Sequence, residues 1–281
     1  MTPTTHRPLG LQFGFALVVL VLFLLAGVFG GAIAPHDPQQ QNLANTLKPP
    51  AWHEDGTATH LLGTTSLGQD VLSNLMAGAR VSLLVSLCAV GLSGVFGVAI
   101  GLVAGYVGGW VDAFLMRLSD IQVSIPFILL AIALIGALGP SLTNVILVIA
   151  ITNWVAYAKL VRTETARLRD RDFVRFARVS GTPWPILFWR HLLPNVTNSV
   201  IVLVTLDIGK VIIFESGLSF LGLGVQPPTP SWGAMLADGR KYINIAYWTS
   251  LFPGIAIFIV VLCVNYAGNW LRLRTDPRAV R

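Results

Sequence analysis

Apolar residues run in six long blocks, approximately 11–34, 81–107, 121–139, 142–161, 197–216 and 248–270, separated by polar connections. Each is near or above the roughly 20 residues that a helix needs to cross a bilayer. The third and fourth blocks part only at Gly139-Pro140-Ser141, a tight-turn signal. The pattern predicts an all-α, polytopic membrane protein with about six transmembrane helices. The first block has a rival reading as a signal peptide, because Ala32-Ile33-Ala34 has the form of a cleavage site and Arg7 could supply the basic lead. Its apolar run, Leu9 to Phe29, exceeds the roughly 7–15 residues of a signal core, so a retained helix is expected.

Composition agrees with this pattern. Of 281 residues, 54% are hydrophobic and 11% charged, and the mean hydropathy is +0.70. Soluble domains carry about 25% charged residues. Disorder and a soluble enzyme are both excluded, and most of the surface must face lipid. A net charge of +6 could suit nucleic acid, but its distribution fits the positive-inside rule better. With the N-terminus inside, 14 of the 19 basic residues fall on the inner side, among them Arg7, Arg117, Lys159, Arg162 and Arg278. Lys48, Arg80, Arg240 and Lys241 fall outside, and Lys210 lies within a span. Both termini are therefore expected in the cytoplasm. Cys88 and Cys263 lie in apolar runs and show no metal-ligand spacing, so they read as small apolar fillers.

Two outside segments, 35–79 and 217–247, are rich in proline, and the first is acidic. They are expected to form the external surface, unless Trp52 and Trp232 sit at the membrane interface as anchors. In the second block Gly97, Gly101 and Gly105 recur every four residues. Such a stripe permits close backbone approach, either to a neighbouring helix of the chain or to a partner subunit. Asp207, Lys210 and Glu215 all lie on the fifth span. Charges at that depth pair with each other or face a watery path, and all three are candidates for lining a translocation path.

The most informative segment is the inner loop near 159–195, which contains RDFVRFARVSGTPWPILFWRHLLPN. Phe173, Phe176, Ala177 and Ser180 repeat at helical spacing, Gly181 and Pro183 interrupt, and a second apolar stripe follows. Two short helices with a glycine bend are predicted. The segment either lies on anionic lipid or presents a knob to a soluble partner.

This loop resembles the cytoplasmic coupling loop of ABC-importer permeases, whose motif reads E-A-A, three residues, G, then an H-x-L-P-N-like end. Here the corresponding positions are Arg175, Phe176, Ala177, Gly181, His191, Pro194 and Asn195. The acid is replaced by Arg175, while the glycine and the ending match. Leu61–Leu84 resembles the G-T-D-x-x-G-R-D segment of dipeptide, oligopeptide and nickel permeases, with Thr65 and Gln69 departing from it. Gly108, Gly109, Asp112, Arg117, Asp120 and Pro126 resemble a second stretch of that family, and Ser219–Leu236 resembles its ending. The resemblance spans about 35–277 and is to the second, C-type permease of a pair.

It implies a type I ABC-importer permease fold in the bacterial inner membrane. An N-terminal transmembrane helix and periplasmic segment (1–79) would precede a five-helix permease core (80–281). A homologous permease would complete the pore as a heterodimer, two ATPase subunits would bind the loop, and a periplasmic or lipid-anchored binding protein would deliver substrate. The sequence holds no G-x-x-x-x-G-K-[ST] phosphate loop, so the chain is expected to bind no cofactor and no metal and to catalyse nothing, with ATP and Mg used by the partner subunits. Peptides are the expected substrate. TLDIG (205–209) is more like nickel permeases, whereas KPPAWHEDGTATHLLGT (48–64) is more like dipeptide permeases. A secondary carrier or channel is the reading from another class.

Overall fold

In the computed structural model, residues 10–275 are described; Arg7, Arg278, Arg281 and both termini lie outside them. The described chain is helical: α1 (Leu11–Ile33), α2 (Val71–Val107), α3 (Gly109–Val123), α4 (Phe127–Leu138), α5 (Leu142–Arg169), α6 (Asp172–Val179), α7 (Trp184–Ile186), α8 (Leu193–Phe220), α9 (Trp232–Gly239) and α10 (Trp248–Thr275). Among the described residues, five helices are long and apolar enough to cross a membrane, or six if the bent pair α3 and α4 is one span. Outward-facing Val28, Val95 and Phe258 are exposed, as suits a lipid-facing surface.

Three elements differ from the sequence expectation. First, α2 starts ten residues before the apolar block. Asp70 caps it by accepting from the Ser73 amide at 2.8 Å, which satisfies an otherwise orphaned donor. At ~1.5 Å per residue its 37 residues make a rod of ~55 Å, longer than the ~30 Å apolar core of a bilayer. Second, the block at 121–139 is not one helix. The chain bends by 86° between α3 and α4, where Pro126 lacks an amide donor and starts the new helix. The 12 residues of α4 reach only ~18 Å alone. Third, the fifth span continues back through the loop to Trp184. One short helix, α6, occupies the loop, and what was read as a second is the root of α8.

The helices meet at close range where the sequence carries small residues. A Cβ on Gly97, Gly101 or Gly105 would lie 2.4, 2.7 and 2.5 Å from the carbonyl oxygens of Trp154, Ala158 and Arg162. The glycine stripe therefore seats α5 on α2 within this chain. Tyr157, Ile149, Val145 and Val85 are fully buried along the same seam. Between α4 and α5, Ser141 caps α5 while the Asn144 side-chain amide donates to the carbonyls of Leu138 (3.0 Å) and Gly139 (2.8 Å). α1 packs on the bundle, with Phe23 buried 5.6 Å from the Trp232 ring.

Candidate functional site

At one end of the bundle, α6 projects beside the end of α2 and the start of α7. It closes on a Schellman turn: the Thr182 amide donates to Ala177 O and the Gly181 amide to Arg178 O, each at 3.0 Å. Gly181 sits at φ +74°, a conformation that costs other residues energy. A Cβ there would meet nothing within 4 Å, so the requirement is conformational and not steric. Beneath the turn, Val174, Leu187 and Leu192 are buried. Tyr106, at the end of α2, meets Trp184 edge-on at 5.0 Å and Phe188 at 5.5 Å, and Arg178 lies over its face at 5.1 Å.

The loop then joins α8 without a break. Pro194 has no amide to continue the helical ladder and its ring crowds the preceding turn. The chain widens into a π-type turn over Leu187–Leu192, with the Leu193 amide bonded to Phe188 O. The Asn195 side-chain amide donates to His191 O at 2.6 Å, and His191 lies 6.4 Å from the Phe173 ring. Arg175 and Phe176 are exposed and Ala177 is half-buried. Arg175 only approaches Asp170, at 3.9 Å. The outward face of this knob mixes apolar and basic side chains: Phe176, Val179, Trp184 and Trp189 are 71%, 87%, 52% and 73% exposed, beside exposed Arg175, Arg178 and Arg190.

Midway along α8, Asp207 is buried. Its carboxylate accepts from Tyr157 Oη at 3.0 Å and from the Asn153 side-chain amide, and pairs with Lys210 Nζ at 3.0 Å. Lys210 also donates to Asn153 Oδ1 at 2.5 Å and lies 5.6 Å from the Phe214 ring centre. The predicted pair is thus half of a four-residue network across α5 and α8, in which Lys210 stays half-exposed. Asn153 and Tyr157 were missed because they stand inside an apolar run; their i, i+4 spacing was the available signal. Glu215 is not part of this network. It is fully buried among serines, accepting from Ser219 Oγ at 2.8 Å and from Ser82 and Ser216 Oγ at 3.4 Å each.

Two family-like acids tie α3 to α5. Arg162 grips Asp112 with two bonds of 2.8 and 2.5 Å, and Lys159 pairs with Asp120 at 2.7 Å. At the far end of the bundle the segments on either side pack together. Trp248 donates to Thr64 O at 3.1 Å and His53 contacts Tyr247 Oη at 2.9 Å. Segment 217–247 is not wholly an external surface: α8 runs into it, and α9 carries a buried Trp232 whose indole donates to Leu75 O at 2.8 Å. Trp232 is therefore a core residue, while Trp52 remains exposed. The sequence assigned no metal ligands. Among the described residues, one group, His36, His60 and Asp70, converges closely enough to hold an ion.

The fold defines a polytopic, all-α membrane protein with a short helix, α6, projecting at one end of the bundle. The family described as "Binding-protein-dependent transport system inner membrane component" matches residues 97–281, and the "N-terminal TM domain of oligopeptide transport permease C" matches residues 13–50. The chain is 41% identical over 262 residues to the di/tripeptide transport system permease protein DppC of Pseudomonas aeruginosa, covering 93% of this chain and 86% of that one. It is 40% identical to the nickel transport system permease protein NikC of Escherichia coli K12 over 94% of each chain. It is 39% identical to the glutathione transport system permease protein GsiD of Pectobacterium atrosepticum over 92% of this chain and 85% of that one. In fold it is similar to the MetNI methionine ABC transporter, with a TM-score of 0.58 at 17% identity over 72% of this chain and 97% of that one.

The chain belongs to the binding-protein-dependent inner-membrane permeases, as a C-type subunit of the dipeptide, oligopeptide and nickel branch. It is a multi-pass permease subunit of an ABC importer, which displaces the reading as a secondary carrier or channel.

Proposed function

We propose that this chain pairs with a homologous permease to form a pore that imports di- and oligopeptides. Two ATPase subunits, which use ATP and Mg, dock from the cytoplasm on the coupling loops of the pair, here on α6, and a periplasmic or lipid-anchored binding protein delivers substrate at the opposite end. Both termini lie in the cytoplasm, in keeping with the inward bias of Lys and Arg.

The observation that carries this reading is the α6 knob. Its apolar side chains are exposed at the tip while its base is locked by the Tyr106 aromatic cluster. An exposed apolar patch on a rigid mount suits a protein partner. Because Trp184–Phe220 is one continuous helical stretch of 37 residues, a push on α6 is carried along α8 to Asp207 and Lys210. Closure of the ATPases thereby rocks the helix between inward and outward states. Half-exposed Lys210, held by Asp207, is the group placed to face the path or the paired permease. Glu215, enclosed by serines, belongs to the packing of α8 on α2.

Nickel or a metal chelate is the second reading of the substrate, favoured by near-equal identity to the nickel and dipeptide relatives. Val179→Asp tests the docking claim, since Val179 is 87% exposed and contributes nothing to the core. The variant should reach the membrane and assemble with the partner permease, but recover several-fold less ATPase on co-purification. Unchanged ATPase recovery would overturn the docking face.

A further inference from the structure

We propose that His36, His60 and Asp70 form a site for a borderline divalent transition cation, of the nickel, cobalt, copper and zinc class, at the end of the molecule opposite α6. The three residues come from separate parts of the chain. His36 follows the end of α1, His60 lies in the long connection, and Asp70 caps α2. One donor atom from each lies within 4.8 Å of the others.

The donor set and its spacing suit such an ion. Imidazole nitrogen and carboxylate oxygen bind these metals at about 2.0–2.2 Å, which puts neighbouring ligands on one ion roughly 3 Å apart. His60 Nδ1 and Asp70 Oδ1 are already 3.0 Å apart, and His36 Nδ1 and Asp70 Oδ2 are 3.8 Å apart. The second distance is too long for a hydrogen bond. His36 Nδ1 is nonetheless buried and has no hydrogen-bond partner. A buried ring nitrogen that faces a carboxylate without reaching it needs something between the two, and a cation supplies both a ligand bond and the missing charge.

The surroundings hold the donors in place. Asp70 Oδ2 accepts from the Ser73 amide at 2.8 Å and from Ser73 Oγ at 2.7 Å, and Ser73 Oγ in turn accepts from the His36 amide at 3.0 Å. His60 Nε2 faces the Asn45 side-chain amide at 3.4 Å. Such outer contacts orient ligands around metals. The two imidazole rings lie 4.8 Å apart and tilted by 36°, and His36 is 35% exposed, leaving an entry route and room for water ligands. The connection between α1 and α2 contains only one short 3₁₀ turn, Leu43–Asn45. Connections of that length with so little secondary structure are uncommon and usually functional. An ion at these three residues would pin the connection to the first turn of α2. The competing account is a plain His60–Asp70 hydrogen bond with His36 stacked beside it. The proposal is independent of the transported substrate.

The test is a Co²⁺ titration of the full-length chain, purified in detergent and stripped with chelator, followed by its visible absorption. The wild type should bind one Co²⁺ per chain with ligand-field bands that Zn²⁺ or Ni²⁺ abolishes. His36→Ala, which leaves the His60–Asp70 bond intact, should weaken binding at least tenfold. His60→Gln provides a second ligand deletion, with elution in size exclusion as the check on folding. His53→Ala, at an exposed histidine that contacts Tyr247, should bind as the wild type does. Absence of saturable binding by the wild type, or wild-type affinity in both ligand variants, would overturn the site.

Discussion

Gly181 carries the geometry of the turn after α6, the proposed coupling loop, through one backbone angle. At φ +74° with open space around its Cβ position, it is sensitive to conformational preference and indifferent to size. Non-glycine residues pay about 1–2 kcal/mol in this region, and Asn is several-fold enriched there. Gly181→Val should therefore reduce ATP-driven uptake severalfold at unchanged protein level, while Gly181→Asn should retain most of it. Equal uptake by both variants, measured with protein amounts matched by immunoblot, would remove the turn from the coupling account. Asp207 makes a different demand. Asp207→Leu leaves Tyr157 and Asn153 without their acceptor, at a cost of about 1–3 kcal/mol, and should lower the thermal midpoint by several degrees. Asp207→Asn with Lys210→Met keeps the shape and removes both charges. It should assemble normally but reduce uptake or change which peptides compete, and an assembled double variant with wild-type transport would exclude the pair from the path.

At the scale of elements, the seam between α2 and α5 depends on missing side chains. Gly101→Val should abolish the folded protein, since even its Cβ would stand 2.7 Å from Ala158 O and 2.8 Å from Val161 Cβ. Gly91→Ala, on the same helix with nothing within 4 Å, should leave the yield of monodisperse protein unchanged. The stripe was legible in the sequence, but not which helix it would meet, because close approach has no partner-specific pattern. The spans were legible wherever apolar runs and breakers coincide, as at Gly139-Pro140-Ser141. They were misread where polar positions are helical, as in the first turns of α2, and where Pro194 is absorbed by a wider turn and does not end the helix. The knob was visible through Phe173, Phe176 and Gly181. The polar network was half visible, because Asn153 and Tyr157 look ordinary in an apolar run. The His36, His60 and Asp70 group was invisible, because only the folding of the connection onto α2 brings those three together.

At the scale of the whole molecule, a continuous series of contacts runs from the α6 knob through the Tyr106 cluster into α8 and its buried network. Far from it, the connection between α1 and α2 packs with Tyr247 and Trp248 to build the opposite end. On the proposed reading, such a molecule would convert movement at one end into rearrangement of a helix bundle, driven by an external motor. Uptake of a labelled dipeptide into proteoliposomes, containing this chain with its permease partner, ATPases and binding protein, tests that claim most directly. Accumulation should require ATP on the side that carries α6 and should stop when either the ATPases or ATP is omitted. Accumulation by this chain without ATPases, driven by a proton gradient alone, would contradict the account.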